Sequence, residues 1–155
     1  AEIVLKKEAI EATLKTTAAK MASYWQSSTL AVVQSGSIGA QGHVANGLTA
    51  LFIACGQDVA CIAESAVGIT RMQVNEDEDL YVALTLPSLI IGTVGGGTGL
   101  PTQRECLSLL GCSGNGTARK FAEICTALAL AGEVSIAAAM SAHHFSEAHQ
   151  KLGRK

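Results

Sequence analysis

Aromatic side chains are scarce: one Trp, two Tyr and three Phe make up 4% of 155 residues. With so little ring bulk, a core has to be packed from Ala, Leu, Ile and Val. Charge is thin as well, at 15%, against 48% hydrophobic residues, a balance that excludes disorder and lets a chain this long bury a core. Eleven Lys and Arg against 13 Asp and Glu leave a net −2, which excludes a generally basic, nucleic-acid-coating protein, though not a local basic patch. The five cysteines are odd in number and form no Cys-x-x-Cys pair, so neither a disulfide framework nor a zinc finger is indicated. They read as reduced, mostly buried thiols of a cytoplasmic protein. No internal repeat and no low-complexity tract is present. The longest apolar stretches are interrupted, one by Gln57 and Asp58 and another by Glu133. Neither reaches the roughly 18 continuous residues of a membrane span, so no membrane contact is expected. The chain opens Ala1-Glu2-Ile3-Val4 with no initiator Met, and it is expected to be a piece of something longer.

What is present suggests one α+β unit over residues 1–155, dominated by helices around a central buried helix, with a small antiparallel β element. Ile10, Leu14 and Met21 are spaced for an amphipathic helix from Lys6 to about Ala22, a pattern that Ser23–Ser28 breaks. Leu30–Val33 is short and β-prone, and Gly36-Ser37-Ile38-Gly39 signals a turn or the start of a helix. From His43 to Ala63 the sequence is apolar nearly all round a helix, which belongs in the middle of a fold. Ile69–Val74 and Leu80–Leu86 read as strands joined by the acidic turn Asn75-Glu76-Asp77-Glu78. Leu89-Ile90-Ile91 reads as a further apolar strand leading into a glycine segment. Pro101 suits the first turn of a helix that runs to Gly111, and Gly114-Asn115-Gly116 is a loop. A long helix, bent near Gly132, is predicted from Thr117 to about Gly153.

Asp58 is the most informative residue on this reading. A carboxylate inside an all-round apolar helix costs several kcal/mol if left unpaired, and such groups sit opposite a cation or share a proton. The competing reading is a helix-end Asp facing solvent, with Gly56 marking a break. At roughly 100° per residue, His43 falls near the same side of the helix as Asp58, with Asn46 one turn on from His43. Gly92-Thr93-Val94-Gly95-Gly96-Gly97-Thr98-Gly99 holds five glycines in eight residues. It fails both familiar phosphate cradles: Leu100 stands where the dinucleotide fingerprint needs Gly, and Thr98 where a P-loop needs Lys. The glycines still let backbone approach something closely, either a ligand or a packed helix. His149 lies near the predicted end of the last helix, where the dipole favours its protonated form by about 0.3–1 kcal/mol and neighbouring cations oppose it. A proton donor and an idle tail histidine are both open. His143, His144 and His149 have no recognised metal spacing, and no metal is expected.

Taken together, Cys55-Gly56-Gln57-Asp58 and Gly92–Thr98 resemble segments of the 3-hydroxy-3-methylglutaryl-CoA (HMG-CoA) reductase family. Leu14-Lys15-Thr16-Thr17, Gly36-Ser37-Ile38-Gly39, His43-Val44-Ala45-Asn46, Asp79-Leu80-Tyr81, Leu86-Pro87-Ser88 and Ala131-Gly132-Glu133 follow in family order. The resemblance covers almost the whole chain and points to the C-terminal part of the catalytic region, closer to the class I, NADPH-using form. It implies reduction of HMG-CoA to mevalonate with two NADPH and release of CoA, in homo-oligomers whose active sites lie between subunits. Asp58 would be the catalytic aspartate and His149 the proton donor to the CoA thiolate. Asn46 and His43 would bind substrate, and Gly92, Thr93, Val94, Gly95, Gly96, Gly97 and Thr98 would contact NADPH. The Glu-Asn-Val-Gly, Thr-Thr-Glu-Gly-Cys and Asp-Ala-Met-Gly-Met-Asn segments are absent, and with them the catalytic glutamate and lysine. No lysine lies between Ser23 and Val33, where the family carries one for the substrate carboxylate. These 155 residues are therefore expected not to turn over alone. The contrasting expectation is a non-catalytic fragment or paralogue acting through assembly or through CoA or nucleotide binding.

Overall fold

Three short apolar runs pair antiparallel into a sheet of order β1-β3-β2: Glu2–Leu5 (β1), Ile69–Val74 (β2) and Leu80–Thr85 (β3). The computed structural model describes residues 1–142. The β2–β3 hairpin was legible from its alternation. β1 was not; it takes its place by pairing, with Ile3 opposite Val82 and Leu5 opposite Leu80. Leu80, Val82 and Leu84 face the core together with Met72. On the other face, the Tyr81 hydroxyl donates to Glu2 and the Arg71 guanidinium lies 5.8 Å from the Tyr81 ring centre.

The first predicted helix is broken. A helical turn at Lys7–Ala9 (α1) passes into a wider π turn, Ile10–Leu14, which stops at Lys15 in left-handed conformation (φ 56°). Thr17 then caps a new helix, Ala18–Ser35 (α2), by accepting from the Lys20 amide. α2 runs straight through both the predicted break at 23–28 and the β-prone Leu30–Val33. The restart shifts the helical phase, so Ala18, Met21, Ala22 and Trp25 form one inward stripe. The Trp25 indole reaches across to the Thr70 carbonyl of β2 at 2.9 Å. α2 ends at Gly36 (φ 72°), where the amides of Gly36 and Ser37 bond back to Val33 and Val32.

The central helix is shorter than its sequence pattern predicts: α3 covers Val44–Ala54, with a 3-10 turn at Val59–Cys61 and a last turn, Ile62–Ser65 (α4), beyond it. Pro101–Leu109 (α5) starts at its proline as expected and ends at Gly111 (φ 63°). Ala118–Ser141 (α6) runs unbroken past Gly132; the predicted extension toward Gly153 lies outside the described residues. Leu89–Ile91 is loop rather than strand. The α+β, helix-dominated reading is borne out.

α6 is long and apolar enough to cross a membrane by length and composition, a property that an unbroken-run criterion misses because Glu133 interrupts it. In this fold its Phe121, Cys125, Ala129 and Leu130 enter the core beside Leu48, Phe52 and Leu107. Each large side chain buried this way contributes about 1.5–3 kcal/mol.

Asp79, closing the hairpin turn, is almost fully buried and ties it to α1, accepting from the Lys6 ammonium at 2.7 Å and the Lys7 amide at 3.0 Å. Those two bonds hold its carboxyl below the usual carboxylate range. A group whose folded pKa is depressed stabilises at pH values above its unfolded pKa and loses that contribution as pH falls through the folded one. Thermal melts of the parent and Asp79→Asn are therefore expected to differ most near pH 7 and to converge in acid, below about pH 4. An undiminished gap in acid would contradict this assignment.

Candidate functional site

The two ends of α3 carry different chemistry. At its N-terminus the amides of Gly42, His43 and Val44 donate to the buried Glu133 carboxylate of α6, at 3.2, 2.6 and 3.1 Å. A carboxylate is the natural partner for helix amides that have no acceptor within the helix, and the helix dipole adds to the attraction. The His43 ring lies over Gly132 and beside Gly47; a Cβ at Gly132 would overlap it. Asn46 is exposed on the first turn of the same end.

At the C-terminus the chain reverses sharply. Gly56 takes the left-handed conformation (φ 67°) and the Gln57 amide bonds back to the Phe52 carbonyl at 2.8 Å. Asp58 therefore follows the helix instead of lying inside it. It is exposed, and its Oδ1 caps the next turn by accepting from Ala60 at 2.9 Å. The expectation of a buried carboxylate in a continuous helix is overturned, and the Gly56 break is the reason. So is the shared helix side of His43 and Asp58: the 11 residues of α3 separate them by about 16 Å.

What Asp58 does face is the glycine segment. Asp58, Cys61, Gly92, Val94, Gly95 and Gly96 line one open depression of about 290 Å³. Larger hollows of about 400 Å³ lie elsewhere, one of them between β1 and α6 and walled by Leu5, Leu130 and Val134. Volume is the weaker guide here: unlike those two, the smaller depression gathers a carboxylate, a thiol and glycine backbone. The segment takes the form of a loop leading into a 3-10 turn, Gly96–Gly99. Gly95 and Gly96 have φ of 82° and 52°, with no protein atom within 4 Å of where a Cβ would stand. Glycine is required there by conformation and not by packing. The side chains of Thr93 and Thr98 are buried, donating to the carbonyls of Gly114 and Gly95 at 2.9 and 2.6 Å. Val94 is exposed. Among the described residues no acceptor is bonded to the amides of Gly95 and Gly96, so the loop offers backbone donors to the depression.

Burial raises the Cys61 thiol, and the nearby carboxylates of Asp58 and Glu64 raise it further. Cys55 is pushed up to about 11 and Cys125 to about 12, chiefly by burial, as expected of inert core thiols. No group of three or more His, Cys, Asp or Glu side chains among the described residues is arranged to hold a metal. His149 lies outside the described residues, as do His143 and His144. Two residues not singled out from the sequence organise the site: Glu133 at one end of α3 and Gln57 at the other. Their signals were a carboxylate interrupting an apolar helix and an amide beside Asp58.

No Lys or Arg lines the depression among the described residues. Asp58 and the glycine backbone thus share one depression that no described Lys or Arg enters. A model of the hydroxymethylglutaryl-coenzyme A reductase family matches residues 1–154. The chain is 46% identical over 161 aligned residues to the 3-hydroxy-3-methylglutaryl-coenzyme A reductase of Pyrococcus abyssi, covering 99% of this chain and 39% of that protein. The Methanocaldococcus jannaschii reductase is 46% identical over 155 residues, with 99% and 38% covered. Reductase 1 of Oryza sativa is 38% identical over 162 residues, with 99% and 30% covered. The chain belongs to the hydroxymethylglutaryl-coenzyme A reductase family, and it spans about 39% of the length of the archaeal relatives it matches.

Alkylation of Cys61 by iodoacetamide, followed by peptide mass spectrometry, is expected to show a midpoint pH above that of a free cysteine. Asp58→Asn should lower that midpoint, since it removes one of the charges that disfavour the thiolate. A midpoint indifferent to Asp58 would separate the two groups. At the other end of α3, Gly132→Ala is expected to expel the His43 ring and destabilise by about 1–3 kcal/mol in urea melts; an unchanged midpoint would refute the slot.

Proposed function

We propose that this chain is the C-terminal part of the catalytic region of an NADPH-dependent HMG-CoA reductase, reducing HMG-CoA to mevalonate and releasing CoA. The observation that carries the reading is that Asp58 and the open backbone of Gly95 and Gly96 share one depression. Reduction of a thioester to an alcohol takes four electrons, which NADPH supplies as two hydrides when two molecules bind in turn.

The chain's own contributions follow from its geometry. Gly95 and Gly96 present amides that nothing in the described residues uses, in backbone of positive φ with open space around it. That fits a polar, phosphate-bearing cofactor held by main chain, with the hydroxyls of Thr93 and Thr98 bonded inward to stiffen the loop. Asp58 uses Oδ1 on the Ala60 amide and leaves the rest of the carboxylate toward the depression, where it handles the proton gained by the carbonyl oxygen. Asn46 and His43, at the far end of α3, are assigned to the substrate. His149 is assigned as proton donor to the thiolate on the resemblance alone. The oxyanion at the thioester carbon needs a cation or aligned donors. Among the described residues no cation lines this wall, and on this reading segments outside these 155 residues supply it.

Subunit assembly into homo-oligomers with shared sites is part of the same reading. Exposed Leu30, Val33, Ile38 and Leu109 supply apolar surface for it. Five cysteines with no disulfide fit a reducing, cytoplasmic setting.

Two assays test the proposal. The full polypeptide that carries this chain is expected to oxidise NADPH only when HMG-CoA is added, forming mevalonate, and Asp58→Asn should lower kcat by about 100- to 10,000-fold with the fold intact. The 155 residues alone should form none. A full polypeptide that folds yet oxidises no NADPH would refute the catalytic reading, and mevalonate made by the isolated chain would refute the dependence on missing segments.

A further inference from the structure

The glycine loop is pinned to the Asp58 turn at both of its shoulders. At the first shoulder, the Gln57 carboxamide pairs with the peptide at Gly92. Its Nε2 donates to the Gly92 carbonyl at 2.9 Å and to the Cys55 carbonyl at 3.0 Å, while its Oε1 accepts from the Gly92 amide at 2.8 Å. Both donor hydrogens are used, and the side chain substitutes for a neighbouring strand. The amide orientation follows from these partners, because the reversed form would set oxygen against two carbonyls and nitrogen against an N–H. At the second shoulder, Gly56 and Gly97 meet backbone to backbone. A Cβ on Gly56 would overlap the Gly97 carbonyl, and one on Gly97 would come within 2.9 Å of the Gly56 carbonyl. Between the two anchors Val94, Gly95 and Gly96 stand exposed over the depression.

We infer that Gln57 is a positioning residue for the cofactor: by clamping Gly92 it fixes the Gly95–Gly96 amides relative to the Asp58 carboxylate. The inference rests on the reductase reading and adds to it a residue that touches neither reacting group. Gln57 directly precedes Asp58, so the same two-residue stretch sets the carboxylate and the distance to the loop. The Ala60 cap on Asp58 does not involve Gln57. Loss of the clamp is therefore expected to weaken cofactor binding more than it lowers kcat.

The test uses the full polypeptide, with NADPH binding measured directly by fluorescence titration beside steady-state kinetics. Gln57→Leu keeps the volume and removes all three bonds; it is expected to raise the Kd and KM for NADPH about 10-fold, with kcat and the KM for HMG-CoA changing less. Gln57→Glu adds a signature that a merely structural role would not give. Ionised, its carboxylate opposes the Cys55 and Gly92 carbonyls; protonated, it regains a donor. NADPH affinity in Gln57→Glu should therefore be weak near pH 8 and recover toward the parent value near pH 5, and this variant keeps the test readable if Gln57→Leu fails to fold. Unchanged NADPH affinity in the variants of an active parent would overturn the inference alone. So would a loss in Gln57→Glu that is equal at both pH values. A parent that binds no NADPH would overturn the reductase reading and this inference together, and that failure appears before any variant is made.

Discussion

The arrangement of the chain depends on the Glu133 carboxylate. It is buried in α6 and accepts from three successive backbone amides at the start of α3. Hydrogen bonds to a charged group contribute about 1.5–3 kcal/mol each, and removing the acceptor would leave buried donors without partners. The contact fixes α3 against α6 by its backbone and not only by interchangeable apolar side chains. Val44, Leu48 and Phe52 then pack into the core formed by Phe121, Cys125 and Ala129. With its first turn fixed, the direction of α3 determines where its last residues emerge.

From there the consequences run along the chain. α3 ends at Gly56, Gln57 turns back onto the helix and across to Gly92, and Asp58 is delivered to the rim of the depression. The glycine segment gains its shape from what it leans on, since Gly97 packs on Gly56 and Thr93 ties the loop to Gly114. A carboxylate and an exposed strip of backbone are thus presented together by a rigid scaffold. His43 and Asn46 occupy the opposite end of the same helix, beside Glu133 and Gly132. The candidate residues thus fall at two ends of one helix, in a chain that spans about 39% of the length of its archaeal relatives.

Periodicity revealed the elements whose partners lie close in sequence. The β2–β3 hairpin alternates cleanly, and α5 is bracketed by Pro101 and Gly111. β1 is four residues long and owes its existence to β3, some 80 positions away, so no local signal marks it. α2 was missed because the pattern was read in one phase from Ile10, whereas Lys15 and Thr17 break and restart the helix and shift the inward stripe onto Met21 and Trp25. At the site, the glycine segment and Asp58 stood out by composition, but the argument from a buried carboxylate failed. Apolar residues continue past Gly56 in a turn and a second short helix, where Cys61 and Ile62 pack against the core and Val59 is exposed. Gln57 and Glu133 stand out in sequence only as polar interruptions, and their partners are legible only in the fold, since each acts on backbone brought near by it.

On the proposed function, the backbone between Gly92 and Thr98 receives the cofactor while the far end of α3 does not. Hydrogen–deuterium exchange of the full polypeptide, with and without saturating NADPH, tests it most directly. Slowed exchange is expected at residues 92–98 and at 56–58, with residues 42–46 unchanged. Protection at 42–46 with none at 92–98 would contradict the account.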